Sequence, residues 1–298
     1  MVRNICLYLA FLAASPAEPP PNAVHLLGLA DIARNAKGIL KVEGGHLTFR
    51  TATAAARISL ASATGFSVEQ ETRALLGGAA GRLLLLAPFG SGRAISMIRT
   101  GVETITLRYT DGRGGEHGCV LILPKGDGAK FAEMLETDGV KRGALPTATE
   151  AAEEKHPLAR GPAAWANAVI EIRPVAGGDP QLPDEFRVSI YEQLFEELWK
   201  TGQFQHVYRA GDRDAETKPD RLRLIVTIDT FKMGNERVRT LTAFGGSTVI
   251  KANVQVLDKD RHALVVKDLT GTVRGYGENI DAADSLARRV AKLLTVRK

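Results

Sequence analysis

The chain has 298 residues, a formal net charge of +5 and 44% hydrophobic residues. That apolar share supplies a core and excludes disorder throughout. Two cysteines exclude a disulfide-rich scaffold and a four-thiolate zinc site. The length suits two domains of ordinary size. Residues 24–138 hold 13 basic and 11 acidic side chains, and residues 166–298 hold 21 and 19. The positive excess is thinly spread, so no nucleic-acid footprint is expected.

The N-terminus carries Arg3, an apolar run from Ile5 to Ala14, then Ser15-Pro16-Ala17 and Pro19-Pro20-Pro21. A positive start, a short apolar core and a small-residue exit describe a secretory signal peptide over residues 1–17. The run is too short to span a bilayer. Cys6 precedes the apolar core, so no lipid anchor is expected. The pattern predicts a periplasmic or secreted protein.

The first region, 24–138, reads as short strands followed by one helix. Leu40 and Val42 alternate with polar neighbours, Gly44-Gly45 turns the chain, and Leu47 and Phe49 alternate again, which predicts a hairpin. Ile58 to Leu60, Phe66 to Val68 and Arg82 to Ala87 are further short strands. Ile105, Leu107 and Tyr109 form a half-buried strand. It turns at Asp111-Gly112 into a partner holding Val120 and Ile122. Asp127 is placed to cap a helix whose apolar face is Phe131, Met134 and Leu135. This order of elements over about residues 36–138, opening on Lys37-Gly38-x-Leu40, resembles the pleckstrin-homology/GRAM superfold. The resemblance implies an antiparallel β-barrel closed by a C-terminal helix. It selects no ligand.

Residues 139–165 are small, polar and proline-punctuated, as a linker is. The pattern then changes. Residues 166–298 read as β-α-β-β-β-β-α, an α+β sandwich. A strand over Val169 to Ile172 precedes a helix from Asp184, placed as its cap, to about Lys200, with Gly202 as the stop. Phe186, Ile190, Leu194 and Leu198 give that helix an apolar stripe. Strands follow at Phe204 to Tyr208, Leu222 to Phe231, Val249 to Leu257 and Ala263 to Val273. A last helix is capped by Asp281, with Asp284 three residues on, and shows Leu286, Val290 and Leu293 on one face. The segment 234–258, from Gly234-Asn235-Glu236-Arg237 to Val256-Leu257-Asp258, is similar to the signature of a bacterial envelope family, domain of unknown function 4410. The likeness extends over about 130 residues. It implies an envelope compartment and no particular activity.

Motifs for chemistry are weak. The six histidines show no metalloprotease spacing. His117-Gly118-Cys119 offers two donors where a structural zinc takes four, and reads as a turn and a buried thiol. Asp258-x-Asp260 with His262 lacks the glycine and terminal glutamate of a calcium loop, and reads as a solvated hairpin turn. Gly90-Ser91-Gly92 is not a nucleophile elbow. Gly245-Gly246 reads as a bulge. No catalytic residue, metal or cofactor is therefore assigned. The remaining feature is a set of cations on the opening strands: Lys37, Lys41, Arg50 and Arg57. On one face they would meet anionic head groups or an acidic partner. The expected role is a non-enzymatic, exported binding protein whose partner is a protein or another envelope component. A hydrolase with a site between the domains, and an intracellular lipid- or protein-binding module, are the alternatives.

Overall fold

Alternation of large apolar and polar side chains builds two β-sheets in this chain. A computed structural model describes residues 22–74, 99–143, 165, 168–177, 182–235, 238, 245–273 and 277–295. The expected signal peptide and the strand at Arg82 to Ala87 lie outside the described residues, as does most of the expected linker.

The first sheet has seven strands: β1 (Ala23–Leu27), β2 (Ala36–Glu43), β3 (His46–Arg50), β4 (Ala55–Ser59), β5 (Ala63–Ala74), β6 (Arg99–Thr110) and β7 (Glu116–Pro124). Their spatial order is β4-β3-β2-β1-β7-β6-β5, antiparallel throughout. The β2–β3 turn is Gly44-Gly45, both at positive φ (57° and 71°), as a tight two-residue hairpin requires. The architecture is α+β, but the barrel expectation is not met. Among the described residues the end strands β4 and β5 do not pair, so the sheet stays open. The β5 edge is instead met by the chain after the first helix. Phe66 N–H donates to Lys141 O (3.0 Å), and Gly143 N–H donates to Phe66 O (3.1 Å).

Helix α1 (Asp127–Thr137) packs Phe131 and Leu135 into the core with Phe49, Phe66, Leu107 and Leu121. Asp127 is not its cap. The cap position is Gly126, in the left-handed region at φ 93°, which glycine reaches without strain. The free amides are met from the sheet: buried Glu103 on β6 accepts from Gly126 N–H (3.1 Å) and Gly128 N–H (2.5 Å). A carboxylate at a helix N-terminus also complements its dipole. Met134, expected on the apolar face, is 42% exposed.

β1 escaped the sequence reading because its buried residues do not alternate. Within it His25 is buried and neutral. Its Nδ1–H donates to Ala33 O (3.2 Å), and its Nε2 accepts from Leu29 N–H (3.1 Å). Protonating Nε2 would set a proton against that donor. Burial lowers its pKa from 6.5.

The second sheet runs β10-β8-β11-β12-β13, with β9 beside β11. Its strands are β8 (Val169–Ile172), β9 (Ala176–Gly177), β10 (His206–Arg209), β11 (Leu222–Lys232), β12 (Thr248–Leu257) and β13 (Ala263–Val273). The pairings β8–β10, β8–β11 and β9–β11 are parallel, and the others are antiparallel. Helix α2 (Asp184–Thr201) and helix α4 (Asp281–Leu294) share one core with this sheet; a single turn, α3 (Arg213–Glu216), lies between β10 and β11. Phe186, Ile190, Leu194 and Leu198 of α2 meet Leu286, Val290 and Leu294 of α4 over Ile228, Ala252 and Val254. Gly202 ends α2 at φ 59° as expected. Asp184 and Asp281 are first helical residues rather than caps. The irregularity in the β11–β12 pairing falls between Ile228 and Thr230, not at Gly245-Gly246.

The two sheets are joined by α2 lying on β7. A Cβ at Gly118 would fall 2.5 Å from Val188 Cγ1, and one at Gly28 would fall 1.8 Å from Gly118 O. Only glycine fits both contacts. Val188 closes against Leu26, Leu27 and Val120. One turn further along α2, Glu192 holds Arg209 of β10 through two bonds, 2.8 Å and 2.7 Å. Its Oε1 also accepts from Gly118 N–H (2.9 Å). The Arg209 guanidinium stands 4.0 Å from the centre of the Phe195 ring, a stacking position guanidinium favours. Glu116 N–H donates to Ala210 O (2.9 Å) beside this pair.

Two outcomes follow. Glu192→Ala leaves a buried guanidinium unpaired and lowers stability by about 3 to 5 kcal/mol. Arg209→Met with Glu192→Met recovers most of that loss in urea unfolding, and no loss in the single variant contradicts the assignment. For His25 the folded pKa lies below the unfolded 6.5, so the unfolded chain binds the proton more tightly. The contribution is complete above about pH 6.5 and is lost as pH falls from there through the lower folded pKa. The urea midpoint therefore drops between about pH 7.5 and about pH 5.5. The drop shrinks in His25→Gln; an equal drop in both proteins assigns it elsewhere.

Candidate functional site

Strand pleat places the four cations of the opening strands. Leu40, Leu47, Phe49 and Ile58 point into the core. Lys37, Lys41, Arg50 and Arg57 occupy the alternate positions and are exposed. All four stand on one outer face. The register Lys41↔Thr48↔Arg57 sets two of them in one cross-strand row, about 10 Å apart across two strand spacings. Arg50 stands one same-face position from Thr48, about 7 Å along β3. Lys37 lies about 13 Å from Lys41 along β2. Arg50, opposite Ile39, stands about 8 Å from both Lys37 and Lys41, near one Debye length at physiological salt, so it links the charges of the face. Among the described residues none of them forms an ion pair. Glu43 is exposed at the end of β2 opposite His46, and is the acidic neighbour of the patch.

A trough of about 380 Å³ lies beside this face. Leu40 and Val42 of β2, Leu123 of β7, and Phe131 and Met134 of α1 form its apolar wall, while Lys41, Glu43, Asp127 and Lys130 stand at its rim. Lys130 pairs with Asp127 at 3.4 Å. Sequence periodicity gave no sign of this trough. It exists because β1 is shorter than β2 and because Met134 is turned outward.

The junction between the sheets brings several titratable groups together. A cleft of about 30 Å³ is lined by Arg108, Glu116, His117, Arg187 and Tyr191 among others, room for about two waters. Burial raises the Glu116 carboxyl and lowers the His117 imidazole. His117 Nε2 lies 3.1 Å from Asp111 Oδ2, and its ring stacks on Tyr109 with centroids 5.2 Å apart. Asp111 also accepts from the Arg113 and Gly115 amides (2.8 and 2.9 Å), so it organises the β6–β7 turn. Cys119, two residues on, is fully buried, and its thiol is pushed up to about 12. A thiol that stays protonated and sealed is no nucleophile. An oriented histidine here serves a turn and a stack.

Asp258, Asp260 and His262 bring ligand atoms within 4.8 Å of one another. The arrangement is spent on the hairpin: Asp258 Oδ1 accepts from Asp260 N–H and His262 N–H, each at 2.9 Å. That is the turn chemistry expected from the sequence. No described helix is long and apolar enough to cross a membrane.

No family model and no curated protein matches the chain. Among solved structures, the PelC dodecamer from Paraburkholderia phytofirmans is 17% identical and covers 47% of this chain and 93% of its own, with a TM-score of 0.33. A point variant of that dodecamer is 18% identical, covering 44% and 91%, with a TM-score of 0.32. A neuraminyllactose-binding hemagglutinin homologue from Helicobacter pylori is 12% identical, covering 51% and 92%, with a TM-score of 0.26. Likenesses at this level carry no argument about what the chain does.

Proposed function

We propose that the protein is an exported, non-enzymatic binding protein of the bacterial envelope, and that it recognises an anionic surface through the outer face of β2, β3 and β4. The observation that carries this reading is the co-facial set Lys37, Lys41, Arg50 and Arg57, exposed and in no ion pair among the described residues, with Glu43 as the acidic neighbour beside Lys41. A sheet face of this kind is flat, which suits an extended surface better than a small enclosed ligand. Export rests on the Arg3 to Ala17 pattern. The envelope assignment rests on the likeness of residues 234–258 to the family catalogued as domain of unknown function 4410.

Vesicle co-sedimentation tests it. Vesicles holding anionic lipid bind the full chain, and wholly zwitterionic vesicles do not. Each neutralised cation weakens binding by about 1 kcal/mol, roughly fivefold. The variant Lys37→Gln, Lys41→Gln, Arg50→Gln, Arg57→Gln therefore loses vesicle binding while its thermal melt stays close to the parent's. Salt weakens the parent far more than the variant. Equal binding of parent and quadruple variant contradicts the reading.

A further inference from the structure

The trough beside β2 differs from the basic face in one respect: it offers an unfinished backbone ladder. Backbone groups of a strand point alternately to its two sides. Gly38 O accepts from Asn22 N–H (3.0 Å), so position 38 faces the β1 side. Leu40 faces the same way. Its N–H donates to Asn22 Oδ1 (2.7 Å), and its carbonyl accepts from Asn22 Nδ2 (3.2 Å). The Asn22 amide thus makes, with its side chain, the two bonds that a strand would make there. Val42 is next in this series, and its N–H and C=O point into the trough. Among the described residues no strand pairs with β2 on that side beyond Leu40. Pro19, Pro20 and Pro21 precede Asn22 and carry no N–H for the Val42 carbonyl.

We propose that this trough takes an extended peptide segment of a partner protein, added to β2 as a strand at Val42 and packed against α1. Strand addition draws affinity from main-chain bonds and specificity from side-chain pockets. Here the pocket is Leu40, Leu123, Phe131 and Met134, of which Met134 is 42% exposed. A thioether at a binding surface adapts to varied side chains. The rim decides the charge of the occupant. Lys41 and Lys130 are balanced by Glu43 and Asp127, so the rim attracts no net charge. That favours a neutral peptide over an anionic head group. The volume, about 380 Å³, lies in the range of a site for a few side chains.

The test uses the full chain, perdeuterated, labelled with nitrogen-15 and carrying carbon-13, protonated methionine methyls, titrated with the neutral peptide acetyl-Ser-Val-Ser-Leu-Ser-Val-Ser-amide. The Val42 amide and the Met134 methyl shift together and saturate. The same peptide N-methylated at alternate residues, in the frame that faces Val42, binds about fivefold more weakly, since the main-chain bond to the Val42 carbonyl is lost. Met134→Lys, on the open wall of the trough, weakens binding by a similar factor and leaves the anionic-vesicle binding of the basic face intact. Shifts at other strand edges only, or equal binding by the N-methylated peptide, overturn the proposal. So does a trough that ignores the peptide but takes dodecanoate, which makes it an amphiphile site. Concentration-dependent broadening at Val42 without peptide overturns it in favour of self-association.

Discussion

The structure turns on a carboxylate that is buried where three elements meet. Glu192 holds Arg209 through both oxygens and, with one of them, the Gly118 amide of the other sheet. A buried ion pair is costly to desolvate, and it persists only when its remaining donors and acceptors are used. Here they are: the guanidinium also lies on the Phe195 ring, and Tyr191 Oη accepts from Ala210 N–H at 3.0 Å. Gly118 lets α2 approach β7 near enough for this to happen. The second sheet, with its two helices, is thereby fixed against β7, on the far side of the first sheet's own core.

That arrangement leaves the opening strands free. Among the described residues no hydrogen bond or ion pair of the junction comes from β2, β3 or β4. Their outer face keeps its cations, and the end of β2 keeps an open flank. The two proposed recognition surfaces, of different chemistry, then sit side by side. One is a charged plane, and the other is an apolar trough with a backbone slot. Lys41 borders both. A partner with an acidic surface and an extended tail would meet the two together, and the linked contacts would act at high effective concentration.

Much of this was legible in the residues. Period-two alternation located the β2–β3 and β6–β7 hairpins and β11 of the second sheet, while the two-residue β9 was not foreseen. Period-four spacing located α2 and α4. The outer placement of Lys37, Lys41, Arg50 and Arg57 follows from the same alternation. Other features had no local signature. β1 is buried at four of five positions and shows no period. The carboxylates at 127, 184 and 281 stand one residue inside their helices, after Gly126, Pro183 and Ile280 at the cap positions. Asp184 N–H donates to Glu69 Oε1 (3.0 Å). Closure of the barrel was implied by the resemblance read from element order and the Lys37-Gly38-x-Leu40 opening, yet the β5 edge is met by residues 141–143 rather than by β4. The Glu192–Arg209–Gly118 contact and the trough join residues distant in sequence, and no spacing rule reaches them.

The central claim is that the two sheets form one cooperative body through the α2–β7 contact. Native-state hydrogen exchange in low urea measures this directly. The account predicts that the slowest amides of β6 and β7 and those of β11 and β12 share one opening free energy and one urea dependence. Two separate values, with one sheet opening while the other stays protected, would contradict it.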